Sequence, residues 1–496
     1  MNKKPFHFPQ IDSRLSFLLI ASFLVFAGLF TRYTNLSNPL LDFHPTRQLF
    51  GAIKARAFYV QQDQTIPDWQ KEIARRQLQT EAVIEPPLIE FASAKLYALY
   101  GENTVFPRAM SATFWLIGAL FLYKLSKNLT QSSFGSLFSV AFYLLLPYGV
   151  LASRAFQPDP LMILLLIVYW WAFEKWCRHE GWAWAVLAGF AGGLTIFVKF
   201  TSVFFVVFVS LGFLIANGKT LQALKKAQMW LIVVLGVLPA GIYFYYGYFV
   251  DPFLAQQFSD RFFIEKWIDP YFYLRWLITA DNVVPLLFTS LGVIGAFLLG
   301  DRQKKIIFAG MIAAYVLFGL TFAHHISSHD YYSLPLIPII ALFLGQLASK
   351  ILPSLGIEEK PIHGGVLLVI TLSIFFATTL QVVNLKTNNY QTEKAMWEEI
   401  GQIVGHQPGL ISLTTDYGYP LEYYGWQNTE LWPSSTEYKK LDKEFLELAK
   451  QKSFFLITDF KELANQPDLL IYLRERFPVI REKNTFILFD LTKPIK

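Results

Sequence analysis

The chain contains few charged residues and almost no cysteine. Only 16% of its 496 residues are charged, whereas 54% are hydrophobic; soluble domains carry about a quarter charged residues. This composition excludes an ordinary soluble protein and predicts a polytopic α-helical membrane protein. The lone cysteine, Cys177, excludes an internal disulfide framework. Glycine-rich phosphate loops and matched broken spans in two halves are also absent, and the second absence argues against a secondary transporter.

Long hydrophobic runs recur along most of the chain. About eleven are of bilayer-crossing length, at 15–33, 105–123, 134–151, 160–176, 182–198, 200–216, 228–250, 283–300, 306–323, 331–348 and 362–383. Basic residues precede the first run, but no small-residue cleavage site follows it. We therefore expect this run to be a retained membrane anchor rather than a signal peptide.

Basic residues are distributed unevenly between the runs. If the amino terminus is cytoplasmic, the inner segments hold fifteen of them and the short outer segments hold five. Basic residues favour the cytoplasmic side of a membrane. We therefore expect a multi-pass protein of a cell membrane, with a cytoplasmic amino terminus and an extracytoplasmic carboxyl terminus. The net charge of +6 then reflects topology, and no nucleic-acid partner is expected.

Three segments outside the runs face the outer side in this topology. Residues 34–104 predict an amphipathic helix opened by Pro45, a polar helix near 68–80 and an interfacial helix after Pro87. Residues 251–282 form a second loop. Residues 385–496 alternate helical and short apolar strand patterns, which predicts a small α/β domain. We expect a transmembrane domain at 1–384, including the loop 34–104, and an extracytoplasmic domain at 385–496 whose segment 416–424 docks on the membrane domain.

Polar side chains collect on the same outer face. Asp42 follows the first run, as either a functional carboxylate or an ordinary loop residue before a helix. Asp159 precedes Pro160 at the start of a run, where a helix N-cap is as good an explanation as catalysis. Lys199 interrupts an almost uncharged stretch, and a snorkelling lysine is its alternative. Candidates for a divalent metal are His324, His325, His329 and Asp330, although a hydrogen-bonding loop fits their irregular spacing.

Several motifs occur in an order typical of one enzyme class. They are the aspartate after the first run, Pro86-Pro87-Leu88, the segment from Arg154 to Pro158-Asp159, and the late motif His329-x-Tyr331-Tyr332-x-Leu334-Pro335-x-x-Pro338. Together they resemble the GT-C glycosyltransferases that use polyprenyl-phosphate sugars. Within that fold the chain is similar to family 39, which includes protein O-mannosyltransferases, the lipid A aminoarabinose transferase and Rgt-type galacturonosyltransferases. The likeness covers most of residues 10–350.

The resemblance implies transfer of a sugar from a polyprenyl-phosphate donor in the membrane to a hydroxyl on the outer face, with inversion. Asp42 would be the general base, and Asp159 would orient the acceptor or stabilise the sugar cation. Relatives commonly have His or Lys where this chain has Glu85. The donor phosphate and sugar would therefore be bound by Arg47, Arg154, Lys199, His329, Tyr331 and Tyr332, with Glu85 in the same region. No organic cofactor is expected; the acceptor (lipid, glycan or protein) and a divalent cation stay open.

Two other classes of protein compete with this interpretation. A lipid or solute transporter, or a flippase, would explain the hydrophobic runs but not the large outer loop and tail. A non-catalytic scaffold that binds an outer-face partner would leave the clustered aspartates and cations without a role. Consumption of a polyprenyl-phosphate sugar by purified protein, without a membrane gradient, would distinguish the enzyme from both.

Overall fold

The computed structural model describes residues 13–81, 85–254, 262–354, 389–435, 445, 448 and 451–495. Its contacts divide the chain into two compact units. The first comprises Met1–Leu36, Ala82–Leu88 and Arg108–Thr387, and the second Ser37–Glu81, Ile89–Pro107 and Asn388–Lys496.

The first unit is built of helices. Their bounds are Ser13–Tyr33, Val105–Thr130, Ser133–Leu145, Pro147–Ala152, Asp159–His179, Trp182–Val198, Val203–Ala216, Thr220–Ala223, Ala227–Tyr245, Pro270–Val283, Leu286–Val293, Arg302–Thr321, Ala323–Ser328 and Leu336–Ser354. Single turns of 3-10 or π-helix lie at Phe200–Ser202, Tyr246–Val250, Ile264–Ile268, Ile294–Leu298 and Asp330–Ser333.

Five helices among the described residues are long and apolar enough to cross a membrane. A sixth span results if Pro270–Val283 and Leu286–Leu298, bent by 91°, count as one. Four shorter apolar helices accompany them, at Ser133–Leu145, Trp182–Val198, Phe200–Ala216 and Leu336–Leu352. The predicted run 134–151 is interrupted because Leu146 precedes a proline, which disfavours helical backbone. The run 362–383 lies outside the described residues, so the number of spans stays a prediction.

Small residues allow two of these helices to pack closely. Trp182–Val198 lies against Ala227–Tyr245, and a Cβ added at Gly193 would be only 2.1 Å from the backbone oxygen of Leu235. In a bilayer, where lipid tails are as apolar as leucine, such close backbone approach is a main source of helix association. The contact fixes the end of Trp182–Val198, and Lys199 follows directly.

Within the described residues, the second unit contains a mixed sheet of five strands. From one edge to the other these are Glu430–Leu431, Leu410–Leu413, Phe454–Ile457, Phe486–Asp490 and Val479–Lys483. The strands are β1 (Leu410–Leu413), β2 (Glu430–Leu431), β3 (Phe454–Ile457), β4 (Val479–Lys483) and β5 (Phe486–Asp490). β1 is parallel to β2 and β3, whereas β5 is antiparallel to β3 and β4. The helices of this part of the chain are Pro45–Val60, Asp68–Thr80, Leu88–Tyr100, Gln391–Val404, Tyr419–Tyr424, Phe460–Ala464 and Pro467–Arg476. The predicted α/β domain and the three helices of the first outer loop are confirmed.

Both faces of the sheet are covered. Ile411, Phe455 and Phe489 pack with the helix Pro467–Arg476, while Leu456 and Leu488 pack on the opposite side with the helix Gln391–Val404. Burial on both faces explains why β1, β3 and β5 are largely apolar in sequence rather than alternating between apolar and polar residues. β4 is exposed at all five residues, and its polar edge sequence did not predict a strand.

The segment 416–424 docks on the first outer loop. Arg56 Nη1 donates a hydrogen bond to the backbone oxygen of Tyr423 at 2.5 Å, and the Tyr423 hydroxyl donates to Glu102 Oε1 at 2.8 Å. The backbone N–H of Leu40 donates to the Tyr424 hydroxyl at 2.7 Å. Most of this loop is grouped with the C-terminal sheet in the second unit. The division of the chain into domains at residue 384 stays a prediction.

Candidate functional site

Asp159 and Lys199 form a buried ion pair in the first unit. Lys199 Nζ donates to Asp159 Oδ1 at 2.5 Å, and the two side chains are 6% and 0% exposed. Asp159 is the first residue of its helix, but the N-cap is Pro158 and no side chain caps the helix. Lys199 follows its helix in extended backbone, which turns the side chain inward. The geometry therefore matches neither an N-cap aspartate nor a snorkelling lysine.

The surroundings of the pair are aromatic. Lys199 Nζ lies 5.2 Å and 5.0 Å from the ring centroids of Tyr331 and Tyr332, within cation–π range. Asp159 Oδ2 is buried and has no hydrogen-bond partner within the part of the chain that the structure describes. A buried carboxylate oxygen without a donor is unfavourable. The pair is therefore suited to receive a further hydrogen-bond donor, such as a substrate hydroxyl.

A narrow cleft opens beside the pair. Lys199, Glu85 and Tyr332 line it together with the aromatic rings of Phe197, Phe200, Tyr243 and Phe244. Its volume of about 30 Å³ has room for one or two water molecules but not for a sugar ring. The structure thus brings together Lys199, Glu85 and Tyr332, which the sequence assigned to donor binding. A sugar ring would fit only if the cleft became wider.

The histidine-rich segment lies next to this site. The rings of His325 and His329 are 6.0 Å apart, His325 packs 5.3 Å from Tyr332, and the His329 Nδ1 and Ser328 Oγ atoms are hydrogen-bonded at 2.9 Å. Asp330 Oδ1 accepts a hydrogen bond from Tyr148 at 2.7 Å. No three His, Cys, Asp or Glu residues within the described ranges are placed to hold a metal ion, so His324 and its neighbours form no such group there. A divalent cation stays a prediction.

Buried arginines lie around the end of the first span. Arg154 is 1% exposed and its Nη2 donates to the Asn35 backbone oxygen at 2.6 Å. Arg108 Nε donates to the backbone oxygen of Arg154 at 3.2 Å. Arg32, which sequence reasoning missed, donates from Nε to Ser153 Oγ at 2.7 Å. An arginine inside a hydrophobic run was the available signal, because such a charge is usually paired or hydrogen-bonded.

Asp42 belongs to the second unit and is half-buried. Its Oδ1 accepts a hydrogen bond from Gln48 Nε2 at 3.1 Å, and the same nitrogen donates to the Phe43 backbone oxygen at 2.6 Å. The helix Pro45–Val60 has His44 as its N-cap, so Asp42 does not cap it. Arg47, also half-buried, lies in the first turn of that helix. Burial, and to a smaller extent the charge of Asp42, raises the pKa of Tyr390. Sequence reasoning did not single out Tyr390.

A pair of acidic residues in the second unit was also missed. Burial, with a smaller contribution from Glu81, raises the pKa of Glu422 to about 8. Burial raises the pKa of Glu81 as well, although the Tyr419 hydroxyl donates to Glu81 Oε2 at 2.9 Å. Gln77 Nε2 donates to the backbone oxygen of Glu422 at 2.9 Å. The pair lies where the first outer loop meets the C-terminal sheet.

The chain has the fold of the GT-C glycosyltransferases, and it is a multi-pass membrane protein. A family model described as dolichyl-phosphate-mannose-protein mannosyltransferase matches residues 84–244. The crystal structure of ArnT from Cupriavidus metallidurans bound to undecaprenyl phosphate is similar, with a TM-score of 0.60, 13% identity, and coverage of 95% of this chain and 97% of that chain. The oligosaccharyltransferase of Archaeoglobus fulgidus in its apo form has a TM-score of 0.51 at 10% identity, covering 89% and 69% of the two chains. No curated protein matches the sequence.

Proposed function

We propose that the protein is a membrane glycosyltransferase that moves a sugar from a polyprenyl-phosphate donor to a hydroxyl acceptor on the extracytoplasmic face of its membrane. The observation that carries the proposal is the buried Asp159–Lys199 pair beside a cleft lined by aromatic rings, in a chain with the GT-C fold. A charge pair in this position is more often functional than structural, because ionisable groups are costly within a membrane.

Lys199 is assigned to the donor phosphate. As the bond between the sugar and the phosphate breaks, negative charge grows on the departing polyprenyl phosphate. An ammonium held in an apolar cleft stabilises that charge far better than it would in water. The rings of Tyr331 and Tyr332, within cation–π range of Lys199, help to keep its ammonium group in place. Asp159, with one oxygen bonded to Lys199, is assigned to orienting the acceptor or stabilising the positive charge that develops on the sugar.

Asp42 is assigned as the general base. In an inverting transfer the acceptor oxygen forms a bond to the anomeric carbon, the phosphate leaves from the opposite face, and the hydroxyl proton passes to the base. A carboxylate can accept that proton. Gln48 restrains the Asp42 side chain through the hydrogen bond to Oδ1. Arg47 and Arg154 stay further candidates for contact with the donor.

The direct test is transfer by purified protein in detergent. A radiolabelled polyprenyl-phosphate sugar and a total membrane extract that contains lipids, glycans and proteins are supplied without any gradient, and mass spectrometry identifies the lipid that co-purifies. Labelled product at a rate proportional to enzyme supports the proposal. A protein that binds the donor lipid but moves it across vesicles without cleaving it would be a flippase.

Variants at Lys199 test the assignment of the phosphate site. Lys199→Ala should weaken donor binding by about 1.5–3 kcal/mol, the range for a hydrogen bond to a charged group. Lys199→Arg should recover part of the loss because charge is the main requirement. Lys95→Ala is the matched control, since Lys95 is exposed on the helix Leu88–Tyr100. Equal donor affinity in all of these proteins would shift the assignment to Arg154 and Arg47.

A further inference from the structure

The second unit carries a cleft at one edge of its sheet. Thr415, two residues after β1, and Thr458, directly after β3, line it together with the start of the helix Gln391–Val404. β1 and β3 are parallel, and open α/β sheets bind ligands beyond the carboxyl ends of such strands. The cleft measures about 480 Å³, within the range of about 300–1,000 Å³ for ligand sites.

The walls of the cleft combine aromatic rings with hydroxyl groups. Tyr390, Trp397 and Phe460 supply the rings, and threonines supply the hydroxyls. Phe460 is 37% exposed at the rim, whereas Trp397 is buried at the base. A sugar ring has apolar C–H faces that pack on aromatic rings and hydroxyls that exchange hydrogen bonds with threonine and carboxylate oxygens. This cleft offers both the aromatic rings and the hydrogen-bonding oxygens that a sugar ring requires.

The charged residues in and around the cleft indicate which class of ligand it can bind. Glu393 lines the cleft, and none of the described lining residues is Lys or Arg. Burial, then the charges of Asp42 and Glu393, raises the pKa of Tyr390. Burial, and to a smaller extent Asp416, raises the pKa of Glu393. Three carboxylates thus act on this region, and they repel an anionic ligand such as a phosphate or a uronic acid.

We propose that this cleft binds a carbohydrate that carries no net negative charge, either neutral or amine-bearing. This further inference rests on the proposed function. The cleft then holds the acceptor glycan near Asp42, the residue assigned to remove the proton from the acceptor hydroxyl. The acceptor class is therefore a glycan rather than a protein.

The test measures glycan binding by the full-length protein in detergent, with no donor lipid present. A printed array of neutral, amino-sugar and uronic-acid oligosaccharides identifies the class bound, and calorimetry measures Kd for the best glycan. We expect a neutral or amino-sugar glycan to bind. Tyr390→Ala and Phe460→Ala should each raise Kd about tenfold or more. Ile471→Ala is the matched control, because this residue is an apolar side chain 57% exposed on the helix Pro467–Arg476, and its Kd should be unchanged.

Three results would overturn the proposal: no glycan retained by the array, preference for the uronic-acid glycans, or unchanged Kd in both Tyr390→Ala and Phe460→Ala. The experiment distinguishes failure of this inference from failure of the proposed function. Sugar transfer without glycan binding at this cleft would overturn only the inference made from the cleft. Glycan binding without transfer from any donor lipid would overturn the proposed function and leave the cleft as a carbohydrate-binding site.

Discussion

Removing one partner of the Asp159–Lys199 pair should separate its structural role from its chemical one. At 2.5 Å and an effective dielectric constant of about 20, the attraction between the two charges is about 7 kcal/mol. Burying two charges costs several kcal/mol for each ion, so the intact pair contributes little net stability. Lys199→Met leaves the carboxylate of Asp159 buried without its counter-charge, which should cost about 3–5 kcal/mol.

The double variant Asp159→Asn/Lys199→Met is the informative comparison. It removes both charges at similar side-chain volume, so its stability should return close to that of the wild type. Sugar transfer should nevertheless stay abolished, because no ammonium remains for the donor phosphate. Reversible unfolding in mixed detergent–SDS micelles measures the free energy, and single-turnover transfer from the donor lipid measures the chemistry.

Two outcomes would refute this reasoning. Single variants destabilised by less than about 1 kcal/mol would mean that the pair is solvated rather than buried. A stable double variant with normal turnover would mean that the pair only holds the two helices together. The function would then have to be assigned to other residues.

Three further predictions concern Asp42, Glu422 and the membrane topology. Asp42→Asn should lower turnover by about 10²–10⁴-fold while donor binding and thermal stability persist; near-normal turnover would remove Asp42 from the mechanism. The carboxyl group of Glu422 has an ordinary pKa of 4.5 and a pKa of about 8 in the folded chain. Between these two pH values, the folded chain therefore keeps a proton that the unfolded chain has released. Stability should therefore fall as pH rises through this window, by on the order of 5 kcal/mol, and thermal unfolding of Glu422→Gln should lack this slope. An impermeant thiol reagent applied to intact cells should label a cysteine introduced at Asn465 but not one at Asn217; the reverse pattern would contradict the predicted topology.

Local sequence patterns predicted much of the fold because the relevant forces act within short segments. Pro45 at a first helical turn, and the apolar faces that follow it, were enough to predict the helix Pro45–Val60. Apolar runs similarly predicted β1, β3 and β5. β4 was not predicted because an exposed edge strand buries no side chain and has no apolar pattern. The candidate residues Asp159 and Lys199 were recognised singly, since a charge at the end of a hydrophobic run stands out in any sequence.

The sequence by itself determined the class of protein: the shortage of charge and the long hydrophobic runs demand a membrane, and the alternating tail demands an α/β sheet. Only the tertiary structure decided which distant groups meet. Nothing in either segment indicates that Asp159 pairs with Lys199, 40 residues away, or that Glu81 lies beside Glu422. Such contacts depend on how helices pack and on where burial leaves a charge in need of a partner. Those are properties of the folded chain as a whole, because desolvation of a charge arises only when remote segments exclude water together.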